Sequence, residues 1–531
     1  MAKFKILVSD KLAQEGLDIL NGVEGFQVDS KYGLPPEELK KIIGDYDALI
    51  VRSGTNVTAD IIETAKKLKV IGRAGVGLDN VDLKAATAKG ILAMNTPGGN
   101  TTSTAEHSFS MILALARSIP QAYTSIKVGK KWDRNTFKGA ELYDKTLGVI
   151  GLGRIGSTVA KFAKAFGMKV VAYDPFLSKE IAMNKGVEIV ELADLLKTSD
   201  FITIHIPKTD ETANMISDKE FATVKKNLRI VNCARGGIID EKALVKALQE
   251  KRIAGAALDV FDVEPPDFNS PMFQLDNIIY TPHLGASTNE AQINVAIEIA
   301  HSVRDALLGK GIINAANFPS VDAESYRVLE PYITLGASIA KFAGQLVNGR
   351  VSKIVITYSG EVAKYKIAPI TLSIVNGLLT PILGDAVNFI NALDLAKERG
   401  IDIQEITSNQ VGEFVNCIKV ELITDKEKFE ILGTLSANNQ PRIVKINDVY
   451  AEAIPQGHMI FFNNNDKPGL VGRVGTILAE NHINIAAITL SRASKNGVAV
   501  SVVNVDSEVS EAVIEKLRAT KDVVFVKSLK V

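Results

Sequence analysis

The apolar run Leu147 to Ile150 is followed by Gly151-Leu-Gly153-Arg154-Ile155-Gly156 and then by a helical stretch, Ser157 to Phe166. Three glycines at this spacing, between a strand and a helix, serve one kind of chemistry. The first permits a tight turn, the second lets backbone approach a pyrophosphate, and the third lets helix pack on strand. The start of the helix then presents unpaired N–H groups to the phosphates. Asp174 stands eighteen positions past Gly156, at the end of the next apolar run, Lys169 to Tyr173. A carboxylate there accepts from ribose hydroxyls and repels a 2′-phosphate, so the segment predicts a site for NAD rather than NADP.

Three further segments put charged residues in apolar surroundings at strand ends: Val231-Asn-Cys-Ala-Arg235, Leu258-Asp259-Val-Phe-Asp-Val-Glu264 and Tyr280-Thr-Pro-His283. Loops at the carboxyl ends of α/β strands are where ligands bind. Hydride transfer from a hydroxy acid needs a cation for the substrate carboxylate, and Arg supplies a bidentate fork. It needs an acid/base for the hydroxyl proton, and His suits neutral pH. It needs a carboxylate to orient that His and stabilise its charged form. Arg235, His283 and Glu264 fit these three roles. The structural alternatives are a turn-capping Glu264 before two prolines and a loop histidine after Pro282.

The chain that must position these residues has 531 of them, which at ~150 per domain predicts three or four domains. Lys+Arg and Asp+Glu both number 61, which argues against a dedicated nucleic-acid binder. Two cysteines exclude a disulfide framework and a cysteine-based zinc module, and no metal site is expected. The start, Met1 to Asp10, is no signal peptide. The longest uncharged stretch, Ile367 to Gly384, contains Pro369, Asn376, Gly377 and Pro381. It reads as loop and strand rather than a membrane span, and the chain as cytoplasmic.

Short apolar runs alternate with amphipathic stretches from Phe4 to Met94 and again from Thr146 to Tyr280, with a long apolar helix, Thr104 to Arg117, between the two series. This predicts two doubly wound α/β domains with parallel sheets. A helix over Glu290 to Leu308 is expected to return the chain to the first. The expected domains are therefore 1–98 plus 290–315, 99–289, an α+β domain at 318–455, and a unit at 458–531. The last reads βαββαβ, the ferredoxin-like split motif, with a turn at Lys495-Asn-Gly497.

Taken together, Gly72-Arg-Ala-Gly-Val-Gly-Leu-Asp-Asn80, Gly151 to Gly156, Asn232 to Gly237, Leu258 to Glu264 and Thr281 to Ala286 resemble the D-isomer-specific 2-hydroxyacid dehydrogenase family. The unit at 458–531 resembles an ACT regulatory domain, and the region before it the extra domain of the family's long form. The resemblance implies a flavodoxin-like substrate domain and a Rossmann NAD domain. It implies NAD-linked oxidation of 3-phospho-D-glycerate, the entry step of L-serine synthesis, by a homotetramer. It assigns catalysis to Arg235, Glu264 and His283. It places the cofactor on Gly151, Gly153, Arg154, Ile155, Gly156, Asp174, Cys233, Ala234, Arg235, Asp259, His283, Gly285 and Ala286.

A phosphorylated carboxylate needs cations on the first domain. Arg52 and Arg73 are the expected ligands, assisted by Ser53 and the backbone of Gly75 and Val76. Arg134 and Lys138, after Trp132, are read as reaching a partner subunit's pocket. The ACT resemblance implies an L-serine effector, with Asn464, Asp466 and Asn484 offering amide and carboxylate partners. The alternatives are a dehydrogenase for another acid such as 2-hydroxyglutarate, or an NAD-sensing corepressor-like binding protein. No membrane or nucleic-acid partner is expected.

Overall fold

The computed structural model describes residues 3–321, 323–408, 414–492 and 498–531, and among these the strands form four sheets. The first sheet is parallel and runs β2-β1-β3-β4-β5: β1 (Phe4–Val8), β2 (Phe26–Ser30), β3 (Ala48–Val51), β4 (Val70–Arg73) and β5 (Leu92–Met94). Its central strand β3 is buried at every residue, because helices cover both faces of a parallel sheet. One covering helix comes from far along the chain. Asn289–Leu307 buries Val295, Ile299, Val303 and Leu307 against Phe4, Ile6, Ile50 and Val70. Each such side chain contributes about 1.5–3 kcal/mol. Thr288 starts this helix by accepting from the Ala291 N–H.

The second sheet is also parallel. It comprises β6 (Thr146–Ile150), β7 (Lys169–Tyr173), β8 (Glu188–Ile189), β9 (Phe201–Ile204), β10 (Arg229–Asn232), β11 (Gly255–Leu258) and β12 (Ile278–Tyr280). The order β12-β11-β10-β9-β6-β7-β8 reverses direction between β9 and β6, and ligands bind at such a switch point. The helix Thr101–Ala116 packs Phe109, Ile112 and Leu115 into the core of this sheet.

The third sheet is mixed, in the order β14-β13-β15-β16-β17-β18: β13 (Val351–Ser359), β14 (Asp402–Ser408), β15 (Cys417–Thr424), β16 (Lys428–Leu435), β17 (Pro441–Ile446) and β18 (Val449–Ala453). Only β13 and β14 are parallel neighbours. Here the structure corrects the sequence. Ile367 to Gly384 is not loop and strand. Ala368–Leu383 is a helix, with Ile370, Leu372, Ile374, Val375, Leu378 and Leu379 buried. Pro369 lies in its first turn, where a missing N–H costs nothing, and Pro381 in its last. The prolines mark the ends of a helix that is apolar all round because it is buried. It lies against the long helix Ala323–Leu346.

The fourth sheet is antiparallel and runs β20-β21-β19-β22, from β19 (His458–Asn465), β20 (Ile485–Arg492), β21 (Val498–Val505) and β22 (Val523–Lys530). With helices Leu470–Glu480 and Glu511–Arg518 it is the ferredoxin-like motif. The expected turn Lys495 to Gly497 lies outside the described residues. Its core is not private. Met459, Phe461, Val500, Val502 and Leu529 join the cluster beneath the third sheet. Phe342 and Phe461 meet edge to face at 6.0 Å, and Gln345 exchanges two hydrogen bonds with the Lys530 backbone. The third unit in turn touches the first. Buried Asn391 donates to Ala88 O at 3.1 Å, and Ile390 packs on the first core.

Candidate active site

At the switch point, Gly151 takes φ +91°, open to glycine at little cost. A Cβ on Gly156 would fall 2.0 Å from Gly151 O, so the helix Arg154–Ala165 reaches the strand only because none is there. A Cβ on Gly153 would meet nothing within 4 Å, and no side chain caps this helix. The open cradle and free N–H groups suit a pyrophosphate. Asp174 accepts from Leu152 N at 2.9 Å and Phe176 N at 3.0 Å, which pins its carboxylate beside the loop. A cleft of about 540 Å³ continues past Ile155, His205, Cys233, Ala234, Gly285 and Ala286. These residues fit a dinucleotide.

Asp259 forms the floor of that cleft and is fully buried. Its oxygens accept from Leu284 N at 2.7 Å, from Gly285 N at 2.9 Å and from the Thr281 hydroxyl, with His107 Nε2 at 3.1 Å. Burial pushes its pKa up, but the bonds from His107, Thr281 and Leu284 outweigh it, and the carboxyl stays below its usual range. Burial, then the Asp259 charge, pushes the neighbouring Cys233 thiol up to about 12. Cys233 is therefore a protonated, inert wall. In folded protein at pH 8, iodoacetamide should leave Cys233 unmodified over an hour, as read by peptide mass mapping. Rapid labelling there would contradict the burial.

The catalytic candidates converge in an adjoining cleft of about 590 Å³. His283 Nδ1 and Glu264 Oε2 are 2.8 Å apart, and the other Glu264 oxygen accepts from Phe261 N at 3.1 Å. His283 holds φ +54°, which is costly for a non-glycine residue and is kept at functional sites when surroundings demand it. Arg235 donates from Nε to Asp79 at 3.1 Å and from Nη1 to Ala234 O at 2.6 Å.

From the first sheet, Arg52 follows β3 and Arg73 ends β4; Ser53, Gly75 and Val76 line the same cleft. Burial, then Arg235, lowers the Arg73 pKa, with Asp79 and Asp10 working against them. The Arg73 Nε is buried without a partner. A buried guanidinium N–H without an acceptor suits an anionic ligand. Asp10 and Asn80 brace this rim: Asp10 accepts from Arg52 N at 2.6 Å, and Asn80 Nδ2 donates to both Arg52 O and Thr55 O at 2.6 Å.

Asp79 and Lys208 also line the two clefts, and His107 stands against Asp259; sequence reasoning missed these placements. Asp79 lay inside the Gly72–Asn80 segment, but its partner became visible only across the fold. No metal-ligand spacing marks His107 in the sequence, and its contact with Asp259 arises only in the fold. Trp132 is highly exposed.

The effector candidates are not gathered within one chain. Asn464 is buried in β19 and accepts from the Ser501 hydroxyl at 3.1 Å. Asp466 pairs with Arg492, at the far end of β20, while Asn484 donates to Asp506 at 2.6 Å before its near end. An eight-residue strand spans about 24 Å between those ends.

Fold and cleft together define an NAD-dependent dehydrogenase. Residues 109–285 match the D-isomer specific 2-hydroxyacid dehydrogenase NAD binding domain, 328–447 the D-3-phosphoglycerate dehydrogenase intervening domain, and 458–522 the ACT domain. A solved D-lactate dehydrogenase from Aquifex aeolicus, complexed with NAD and lactic acid, is 30% identical with a TM-score of 0.52. The match covers 60% of this chain and 100% of that one. D-3-phosphoglycerate dehydrogenase from Methanocaldococcus jannaschii is 46% identical over 97% of each chain, and that of Bacillus subtilis 41% over 99% of each. The chain belongs to the D-3-phosphoglycerate dehydrogenase family.

Proposed function

We propose that the chain oxidises 3-phospho-D-glycerate to 3-phosphohydroxypyruvate with NAD, the first step of L-serine biosynthesis, in the cytoplasm. The observation that carries this reading is the meeting of Arg52, Arg73 and Arg235 with the His283–Glu264 pair in one cleft. A phosphorylated carboxylate has more negative charge than one guanidinium can balance. Arg235 takes the carboxylate through its fork. Arg52 and Arg73, with Ser53 and the Gly75 and Val76 backbone, take the rest. NAD, when bound, would supply the hydride acceptor, and Gly151, Gly153, Gly156, Asp174 and Asp259 would hold it. His283 Nε2, the ring nitrogen not engaged by Glu264, takes the hydroxyl proton in oxidation and returns it in reduction. Glu264 keeps the imidazole oriented and stabilises its charged form. Closure of the cleft between the two parallel-sheet domains excludes water.

The test is NADH oxidation with 3-phosphohydroxypyruvate, 2-oxoglutarate and glyoxylate in parallel. The phosphorylated acid should lead the others in kcat/KM by at least about tenfold, since its phosphate brings more charge to the extra guanidinium groups than the second carboxylate of 2-oxoglutarate, and glyoxylate has no second anionic group. NADPH should serve at least about tenfold less well, because Asp174 opposes a 2′-phosphate. Equal rates with 2-oxoglutarate would sink the substrate assignment.

We read the ACT domain as taking an amino-acid effector, L-serine. Asp466 and Asn484 lie apart in one chain and the Asn464 amide is turned into its own core, so in this reading a second copy brings Asp466 and Asn484 together. The expected homotetramer is supported by exposed Ile119, Tyr123, Ile126, Val128 and Trp132, an apolar patch on one helix and the loop after it. Among the described residues, no helix is long and apolar enough to cross a membrane.

A further inference from the structure

Arg235, the residue read above as the carboxylate ligand, is already engaged by an acid from the other domain. Asp79 lies in the loop after β4, on the first sheet; Arg235 lies in the loop after β10, on the second. Their 3.1 Å contact is an ion pair across the domain cleft. Both residues line both halves of that cleft. The pair lies directly over Gly77. A Cβ there would fall 2.0 Å from Arg235 Nη2 and 2.3 Å from Asp79 Oδ2. The backbone has therefore been kept bare where the two groups meet.

An acid beside a substrate-binding cation has two opposite uses. It competes with the substrate carboxylate, or it holds the cation in place for it. The edge it occupies decides between them. Asp79 accepts from Nε, and Ala234 O accepts from Nη1. A guanidinium has five N–H groups, so the outer Nη1–Nη2 edge keeps donors for a second carboxylate. A competitor would occupy that fork. Asp79 instead grips the side edge and fixes the plane of the guanidinium. Its charge also sits among three cations, opposing the repulsion that Arg52 and Arg235 exert on Arg73.

We propose that Asp79 is a positioning residue for Arg235: it aims the free edge of the guanidinium at the substrate carboxylate, and by doing so from the opposite domain it makes closure and carboxylate binding one event. The proposal rests on the functional reading above.

The experiment compares Asp79→Ala and Asp79→Asn in the full chain, alone and with Arg235→Ala. Asp79→Ala should raise KM for the preferred 2-oxo acid by about tenfold or more, while KM for NADH stays within about twofold. Asp79→Asn keeps an oxygen that accepts from Nε and should recover most of that loss. In the Arg235→Ala background, Asp79→Ala should change KM less than about twofold, because its only route to substrate is gone. A lowered KM in Asp79→Ala would make Asp79 a competitor and an unchanged KM would leave it no part in substrate binding; either overturns the proposal, as would an equal loss in the Arg235→Ala background. If the wild-type chain reduces no 2-oxo acid, the functional reading fails by itself. Asp79 is then judged by thermal melting of the two single variants and the double variant, where additive shifts would rule out the coupling.

Discussion

Replacing His283 with alanine should lower kcat by about 10²- to 10⁴-fold, the span that positioned acid–base groups contribute, while NADH still binds within a few-fold. The imidazole touches no core. Its side chain is 49% exposed, its one described side-chain partner is Glu264 at 2.8 Å, and the neighbouring backbone is fixed by Asp259 through Leu284 N and Gly285 N. Alanine therefore leaves the loop standing, and stability should move by no more than about 0.5 kcal/mol, as at other exposed positions. The loss would fall on chemistry. Single-turnover reduction and NADH fluorescence titration separate the two. A variant whose turnover stays within about fivefold would show that His283 carries no proton in the rate-limiting step. A protein that binds nucleotide and amino acid without catalysis would pass through the same substitution unharmed.

The second large effect separates two glycines three residues apart. At Gly156 a methyl group would lie 2.0 Å from Gly151 O and 3.2 Å from a Val149 methyl, so backbone must move. Overpacking of that kind costs about 1–3 kcal/mol. A displacement of about 1 Å in the phosphate loop is enough to weaken function ~100-fold. Gly156→Ala should therefore melt earlier and bind NADH poorly. At Gly153 the added methyl meets no atom within 4 Å, and φ is −69°. The free protein should melt as wild type does, yet NADH should raise its melting temperature less if, as proposed, the methyl fills the space the pyrophosphate would take. Melting curves with and without NADH read both variants. Gly153→Ala with a wild-type NADH response would place the pyrophosphate elsewhere.

Much of this was legible in one dimension because its physics is local. Parallel strands covered on both faces read as apolar runs, unbroken in Ala48–Val51 and interrupted only by Thr203 in Phe201–Ile204. The glycine loop carries its own turn, approach and packing requirements within six residues. Arg235, Glu264 and His283 each sit at a strand end, where charge in an apolar setting stands out. The misreadings have a physical cause as well. Ala368–Leu383 is buried on most sides up to its last turn, so it lacks the charged face that announces a helix, and its prolines look like breakers until their places at the two ends are known. His107 acquires meaning only through Asp259, more than 150 residues later. Asn464 shows an amide in a sequence of amides, but strand register turns it inward. Asp79 and Arg235 are neighbours because two sheets face each other, which no spacing records.

The core beneath the third sheet has a further consequence. Met459, Phe461, Val500, Val502 and Leu529 are counted among its members, together with Leu335, Phe342 and Ile431. The segment that carries the effector fold is thus no pendant that can be clipped off or exchanged without loss. Severed near residue 456, each half would turn a greasy wall toward water, and the two would be expected to melt in a single cooperative step while joined. Two family models describe what thermodynamics treats as one body. Through Asn391 and Ala88 that body has its grip on the first parallel-sheet domain.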